Sequence, residues 1–470
     1  MSTFFWYDLE TFGLSPFYDR IAQFAGQRTD LDLNPIGDPI VLYCKLAADY
    51  VPDPQSCMVT GITPQEVKAK GIPESEFAQK IFDLFREPNT CVVGFNNISF
   101  DDEFIRNLFY RNFIDPYERE WKNGCSRWDI IDLVRAAHDL RPEGINWPVS
   151  QENGRPLFKL TELTGANNID QTGAHDAMVD VNATIAVARL IKEKQPKLFE
   201  HYLKLRNKIE VKNLLNPQDT PKPIIHVNKV FTSTKGCSSL ILPITPHSKI
   251  ENSIVCFDLS KEVQPLLEAT SDDIFKVPGV MRIAINKVPF LAPTSCLKKR
   301  AEYERLGIDV DKCNENYKII TANRPSLINK IRLNTKEEFE GSNDPDYAIY
   351  SKFFTDHDKN LFNVIRNTPP EQRLSLKLDF EDARCPQMLW RHVCRSYPRT
   401  LDAENLKKWK SFASTRVLCP PGNEINDINF VQRKLEEKLA DTSLEPNKKE
   451  VLAKLREYII SLKKYLGMKV

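Results

Sequence analysis

No stretch of this chain is apolar for long enough to cross a bilayer, which sets membrane-spanning roles aside. The first residues, MSTFFWYD, carry no basic region followed by an apolar segment and a small-residue cleavage site, so a cytoplasmic location is expected. Eleven cysteines are scattered without one C-x-x-C pair. An odd number in a large chain predicts reduced thiols packed as small apolar groups, not disulfides or structural zinc. An excess of one charge is also missing: 65 Lys and Arg stand against 64 Asp and Glu, for a net charge of +1. Any nucleic-acid binding therefore has to come from a local groove, not from attraction to the whole molecule. Neither an internal repeat nor a low-complexity tract occurs.

What is present suits a multidomain globular protein, because 470 residues exceed what a single core usually organises. Residues 1–195 alternate strand and helix patterns. RIAQFAGQRT and PIVLYCKLA read as paired strands around the turn signal NPIG, and CVVGFN as a short buried strand; DDEFIRNLFYRNF and DAMVDVNATIAVARLIKEK read as helices. KLFEHYLKLRNKIEVKNLL predicts one further helix, and NPQDTPKP marks a boundary. The runs IIHVNKVF, SSLILPI, SIVCFDL and MRIAINKVPFLA then predict a small β barrel or sandwich. After the loop signal EGSNDPDYA the chain reads as mainly helical, with DINFVQRKLEEKLA and NKKEVLAKLREYIISLKKYL carrying apolar residues at helical spacing. The expected division is 1–195, 196–345 and 346–470.

The segment FFWYDLETFGL poses the chemical question. In a strand, residues two apart share a face, so Asp8 and Glu10 project together while Leu9 faces the opposite core. Two such carboxylates repel unless a cation offsets them, and a hard ion such as Mg²⁺ fits best. D-x-E alone is common: Asp379 and Glu381 in LSLKLDFEDA repeat it and read as surface decoration, since no companion motif follows. Asp8 and Glu10 have companions. VVGFNNISFDDEF puts Asp101 at a helix start after a buried strand, where helix capping is the plainer role. In HDAMVDVNATIAVARL, Asp180 lies inside a helix apolar nearly all round, where an ionised group needs a partner. His175 stands five residues earlier. His138, His201, His226, His247, His357 and His392 read as packing or surface residues.

Taken in order, DLETFG, NISFD and HDAMVD resemble the three motifs of the DEDDh 3′-to-5′ exonucleases. TGIT at Thr60–Thr63, RWDIIDL at Arg127–Leu133 and FKLTEL at Phe158–Leu163 agree, while Val59 departs from the His that many members carry. GITPQEVKAKGI, FYRNFIDPY and SRWDIIDLVRAAHDLRPEGINWP narrow the resemblance to the bacterial exodeoxyribonuclease I branch along essentially the whole chain. The resemblance implies an α/β fold: a ribonuclease H-like exonuclease domain with a central mixed sheet, an SH3-like β-barrel domain and a helical C-terminal domain. It implies that Asp8, Glu10, Asp101 and Asp180 bind two Mg²⁺ ions, for which Mn²⁺ could substitute, and that His175 is the general base. It implies substrate contacts from Glu10, Thr11, Phe12 and Arg141, with Phe12 stacking on or wedged beside the last base, although a plain core aromatic suits Phe12 equally. Arg127, Trp128, Trp147, Lys229 and Lys235 are further candidate contacts, although an ordinary solvated position is the plainer reading of each. The implied activity is processive 3′-to-5′ digestion of single-stranded DNA to 5′-mononucleotides by a monomer, in DNA repair and recombination. A partner is implied too, the acidic C-terminal tail of single-strand DNA-binding protein. A DEDDh exoribonuclease shares the motifs, and a nonenzymatic single-strand binder is the rival from another class. The 275 residues beyond the first domain weigh against the former, and the intact carboxylates and His against the latter.

Overall fold

Alternation along strand β1 (Thr3–Thr11) sets the frame of the first domain. Phe4 and Trp6 enter one core, and Phe5, Tyr7 and Leu9 enter another across the sheet, as a period of two requires. The computed structural model describes residues 2–171, 176–216, 221–334, 341–421 and 427–469. In it β1 pairs antiparallel with β2 (Ile21–Thr29), and β2 with the edge strand β3 (Pro35–Tyr43). On its other side β1 runs parallel to β4 (Thr90–Gly94), and β4 to β5 (Ser126–Asp129). The order β3-β2-β1-β4-β5 is the expected mixed sheet. Pro35 begins β3 inside the NPIG turn signal; an edge strand tolerates a residue that cannot donate to a ladder. Helices Glu74–Phe85 and Asp101–Arg111 cover one face, and Ile130–Leu140 and Ala177–Lys194 the other.

KLFEHYLKLRNKIEVKNLL forms two helices, Pro196–Lys204 and Lys208–Leu215, instead of the single one expected. Asn207 is extended and its side chain accepts the Ile209 N–H at 2.9 Å, so a new N-cap interrupts the apolar periodicity. The second domain is an antiparallel sheet in the order β10-β6-β7-β8-β9, built from β6 (Ile224–Val227), β7 (Ser238–Pro246), β8 (Ser253–Asp258), β9 (Val280–Ala284) and β10 (Phe290–Pro293). MRIAINKVPFLA splits into β9 and β10 around a turn in which Val288 takes φ 49°. A helix, Val310–Leu333, lies in a stretch for which no element was expected, and its Cys313, Ile320, Leu327 and Ile331 join the barrel core. The C-terminal domain is helical, as expected, and includes Asp356–Asn367, Cys385–Ser396, Ala403–Leu418, Ile428–Leu439 and Pro446–Leu466. No described helix is long and apolar enough to cross a membrane.

The loop signal EGSNDPDYA holds more than a linker. Buried Asp346 pairs with Arg391 at 2.7 Å, Arg395 at 2.5 Å and Arg416 at 2.8 Å. Asp344 joins Arg391 and Arg416, and Arg395 reaches Asp49 of the first domain at 2.8 Å. Burial opposes ionisation of Asp346, but the guanidinium groups of Arg395, Arg391 and Arg416 override it and hold the carboxyl well below the usual range. Its contribution to stability is therefore complete above its unfolded pKa of about 3.9 and declines as pH falls below that value. Asp346→Asn leaves three buried guanidinium groups short of a partner and should cost about 3–5 kcal/mol in urea unfolding at pH 7. Exposed Asp379→Asn should cost almost nothing.

Candidate active site

The face of β1 that carries Phe4 and Trp6 ends in Asp8 and Glu10. Opposite Asp8 in the ladder stands Ala25, and opposite Glu10 stands Gln23. The register shifts between Glu10 and Thr11, a bulge of the kind that re-aims side chains beside active sites. Gln23 donates to the Tyr43 hydroxyl at 2.9 Å and accepts the Ala177 N–H at 3.4 Å, tying β2 to the start of the helix that carries Asp180. Asp176 caps that helix by accepting the Met178 N–H at 2.9 Å. As a result Asp8, Glu10 and Asp180 each offer an oxygen within 4.8 Å of the others.

Asp101 stands outside this trio, at the first residue of helix Asp101–Arg111. Gly94 lets the connection from β4 come close, since a side chain there would meet Asn97 Cβ at 2.7 Å and the Tyr7 carbonyl at 3.0 Å. Burial pushes the Asp8 carboxyl well above its ordinary range, and repulsion from Asp101, Asp180 and Asp176 adds to it. Burial, then Asp8, Asp180 and Asp176, push Glu10 up to about 9. Asp101 is raised by burial, then by Asp102, Asp129 and Glu10. Among the described residues no cationic side chain pairs with Asp8 or Glu10. Buried carboxylate oxygens that repel one another and lack a protein cation are a donor set suited to hard divalent ions.

The other expected positions divide. His175 lies outside the described residues. The Thr11 hydroxyl donates to the Gly13 carbonyl at 2.7 Å. Phe12 is 0% exposed and packs with Tyr50, Val51 and Cys57. That burial favours the packing role for its ring over the expected stacking on a base. Arg141 donates to the backbone carbonyls of Leu140 and Cys296, the second at 3.0 Å, and so joins the first domain to the barrel. Arg127 is buried against Asp102 at 3.0 Å at the wall of a cleft between the domains, and Trp128 is fully buried. Trp147 Nε1 donates to the Pro142 carbonyl, while Lys229 and Lys235 are exposed. Sequence reading missed Asp176, and it missed Gln171, whose Nε2 donates to Asp180 Oδ1 at 2.6 Å. It also missed the partner of Tyr7, whose hydroxyl donates to Asp102 at 2.7 Å. A buried tyrosine hydroxyl needs an acceptor, and that requirement was the available signal.

A five-stranded mixed sheet with an acidic trio at the end of its central strand defines a ribonuclease H-like exonuclease, and residues 5–188 match the family model described as Exonuclease. Residues 206–336 match the Exonuclease I SH3-like domain and residues 343–462 the Exonuclease I C-terminal domain. Exodeoxyribonuclease I of Haemophilus influenzae is 42% identical over 432 residues, covering 88% of this chain and 90% of that one. The crystal structure of Escherichia coli exonuclease I with a dA16 oligonucleotide superimposes with a TM-score of 0.92 at 37% identity, over 98% of this chain and 100% of that one. A structure described as an ExoI/SSB-Ct complex gives a TM-score of 0.90 at 36% identity, covering 98% and 99%. The chain belongs to the exodeoxyribonuclease I family.

Because Glu10 titrates higher in the fold than in the unfolded chain, its contribution is fully present below about pH 4.3 and is lost as pH rises toward about 9. Thermal melts in chelator should therefore fall across that window. Glu10→Gln should melt higher than wild type at pH 8–9, by about 1 °C for each kcal/mol of repulsion relieved in a unit of this size. Millimolar Mg²⁺ should raise the wild-type midpoint and narrow that difference.

Proposed function

We propose that this chain digests single-stranded DNA processively from its 3′ end, releasing 5′-mononucleotides. The observation that carries the reading is the acidic trio at the end of β1, in a chain of this family. Membership of the exonuclease family implies a divalent metal, and the finer assignment is Mg²⁺, with Mn²⁺ as substitute. Asp8, Glu10, Asp101 and Asp180 would hold two ions. When bound, such a pair supplies Lewis-acid stabilisation of the attacking and leaving oxygens of an in-line displacement at phosphorus. His175, immediately before the Asp176 cap, takes the proton from the attacking water, work suited to an imidazole titrating near neutrality. Glu10 and Thr11, flanking the bulge, seat the 3′-terminal nucleotide. All these residues come from one chain, which suits a monomer.

A cleft of about 1080 Å³ walled by all three domains supplies a route for the strand. Trp121 and Phe353 line it and are 67% and 74% exposed, and Arg206, Lys208 and Lys287 line it with them. Exposed rings stack on any base and the cations follow the backbone, giving affinity without sequence preference. Glu103 lines the cleft and accepts the Tyr350 hydroxyl; none of Asp8, Glu10, Asp101 and Asp180 lines it, so the strand has to pass beyond its walls to reach them. The acidic tail of single-strand DNA-binding protein is carried over as a partner from the relative solved as an SSB-Ct complex.

The test is Mg²⁺-dependent release of mononucleotides from 3′-labelled single-stranded DNA, duplex DNA and RNA. Wild type should digest the single-stranded DNA alone. Asp8→Ala and His175→Ala should lose at least 100-fold in rate while still binding the strand. Preference for RNA, or tight binding without cleavage by wild type, would overturn the reading. Trp121→Ala and Phe353→Ala should each weaken binding of an oligonucleotide by about 1–3 kcal/mol in fluorescence anisotropy.

A further inference from the structure

We infer that Gln171 is a positioning residue that fixes the carboxylate of Asp180 for divalent-cation binding; this rests on the reading of Asp180 as a cation ligand. Gln171 belongs to none of the three motifs and lies nine residues before Asp180. Its Nε2 donates to Asp180 Oδ1 at 2.6 Å, and its Oε1 lies 2.6 Å from Thr164 Oγ1. The direction of this relay follows from chemistry. An ionised carboxylate can only accept, so the amide must present its nitrogen to Asp180 and its oxygen to Thr164. The Thr164 hydroxyl then donates to Gln171, and its one proton goes to the shortest of its three acceptor contacts; those to the Leu160 and Thr161 carbonyls are 3.0 Å.

Thr164 is 1% exposed within helix Leu160–Ala166, so the relay begins at a fixed point of the core. An amide also suits the place better than a charged donor. Lys or Arg in reach of Asp180 would neutralise the charge that a divalent ion needs, whereas Gln restricts the carboxylate's rotation and leaves its charge intact. Groups that orient a ligand in this way commonly account for about 10–100-fold in metal affinity.

The experiment is calorimetric titration of the full-length, DNA-free protein with Mn²⁺, comparing wild type, Gln171→Ala, Gln171→Met and Asp180→Asn, with thermal melts in chelator beside it. Gln171→Met keeps the bulk and loses the hydrogen bonds. Both Gln171 variants should bind Mn²⁺ about 10-fold more weakly than wild type, with melting points in chelator within about 2 °C of it. Thr164→Val should move affinity the same way by less. Wild-type affinity in either Gln171 variant, or a loss matched by a large fall in melting point, overturns the inference. If Asp180→Asn binds Mn²⁺ as wild type does, it is the reading of Asp180 as a ligand that fails, and this inference falls with it.

Discussion

Four carboxylates cannot crowd the end of a buried strand unless something pins the backbone that bears them. That pin is the carboxylate of Asp102. Its Oδ1 accepts the Tyr7 hydroxyl at 2.7 Å and Arg119 at 2.6 Å, and its Oδ2 accepts Arg127 at 3.0 Å, all in full burial. Tyr7 precedes Asp8 and Asp102 follows Asp101, so the Tyr7–Asp102 bond ties together the two segments whose acids repel. The two aspartates of the DD pair meet opposite fates. Burial disfavours charge on both, but Arg119, Arg127 and Arg106 override it at Asp102 and hold that carboxyl far down. Asp101 faces other acids instead and is pushed up. A charge-assisted bond in a dry site is stronger than a neutral one, and a strained site depends on such bonds outside it.

The same node reaches the second domain. Arg127 Nη2 donates to the Asn286 carbonyl of the barrel at 3.1 Å. Around it the cores are continuous: Trp128 and Ala137 of the first domain share one cluster with Phe290 and Leu291 of the barrel. Phe12 and Tyr50 share another with Trp409, Val431 and Leu452 of the helical domain. Domains that share fully buried apolar contacts behave as obligate partners, not as beads on linkers.

Sequence made the acidic site legible because period-two alternation forces Asp8 and Glu10 onto one face, and because Asp180 stands out as an acid in a mostly apolar helix. The pairing of β2 with β3 was legible in the NPIG turn between them, while the mixed sheet came only from the family resemblance. Three features were not legible. EGSNDPDYA has the composition of a loop, and only the folded chain brings Arg391, Arg395 and Arg416 to Asp346. Phe12 follows the motif, which suits either substrate contact or the core, and its burial is set by a helical domain hundreds of residues away. Gln171 carries no pattern at all, since one amide reaching one carboxylate leaves no periodicity behind it.

Continuity of the cores bears on how a single strand is chosen. A cleft that opened by hinge motion would admit duplex whenever the hinge relaxed. Here the walls are set by contacts that are costly to break: the Asp346 hub and the Arg395–Asp49 pair on one side, and the Arg127–Asn286 and Arg141–Cys296 bonds on the other. Domain opening would have to break these contacts and the shared apolar cores together, which holds the walls in one arrangement. If the cleft carries the strand as proposed, fixed width would select for one backbone, and the Trp121 and Phe353 rings would retain the strand between cuts. Since stacking is indifferent to base identity, such a strand would advance by one nucleotide without losing its hold.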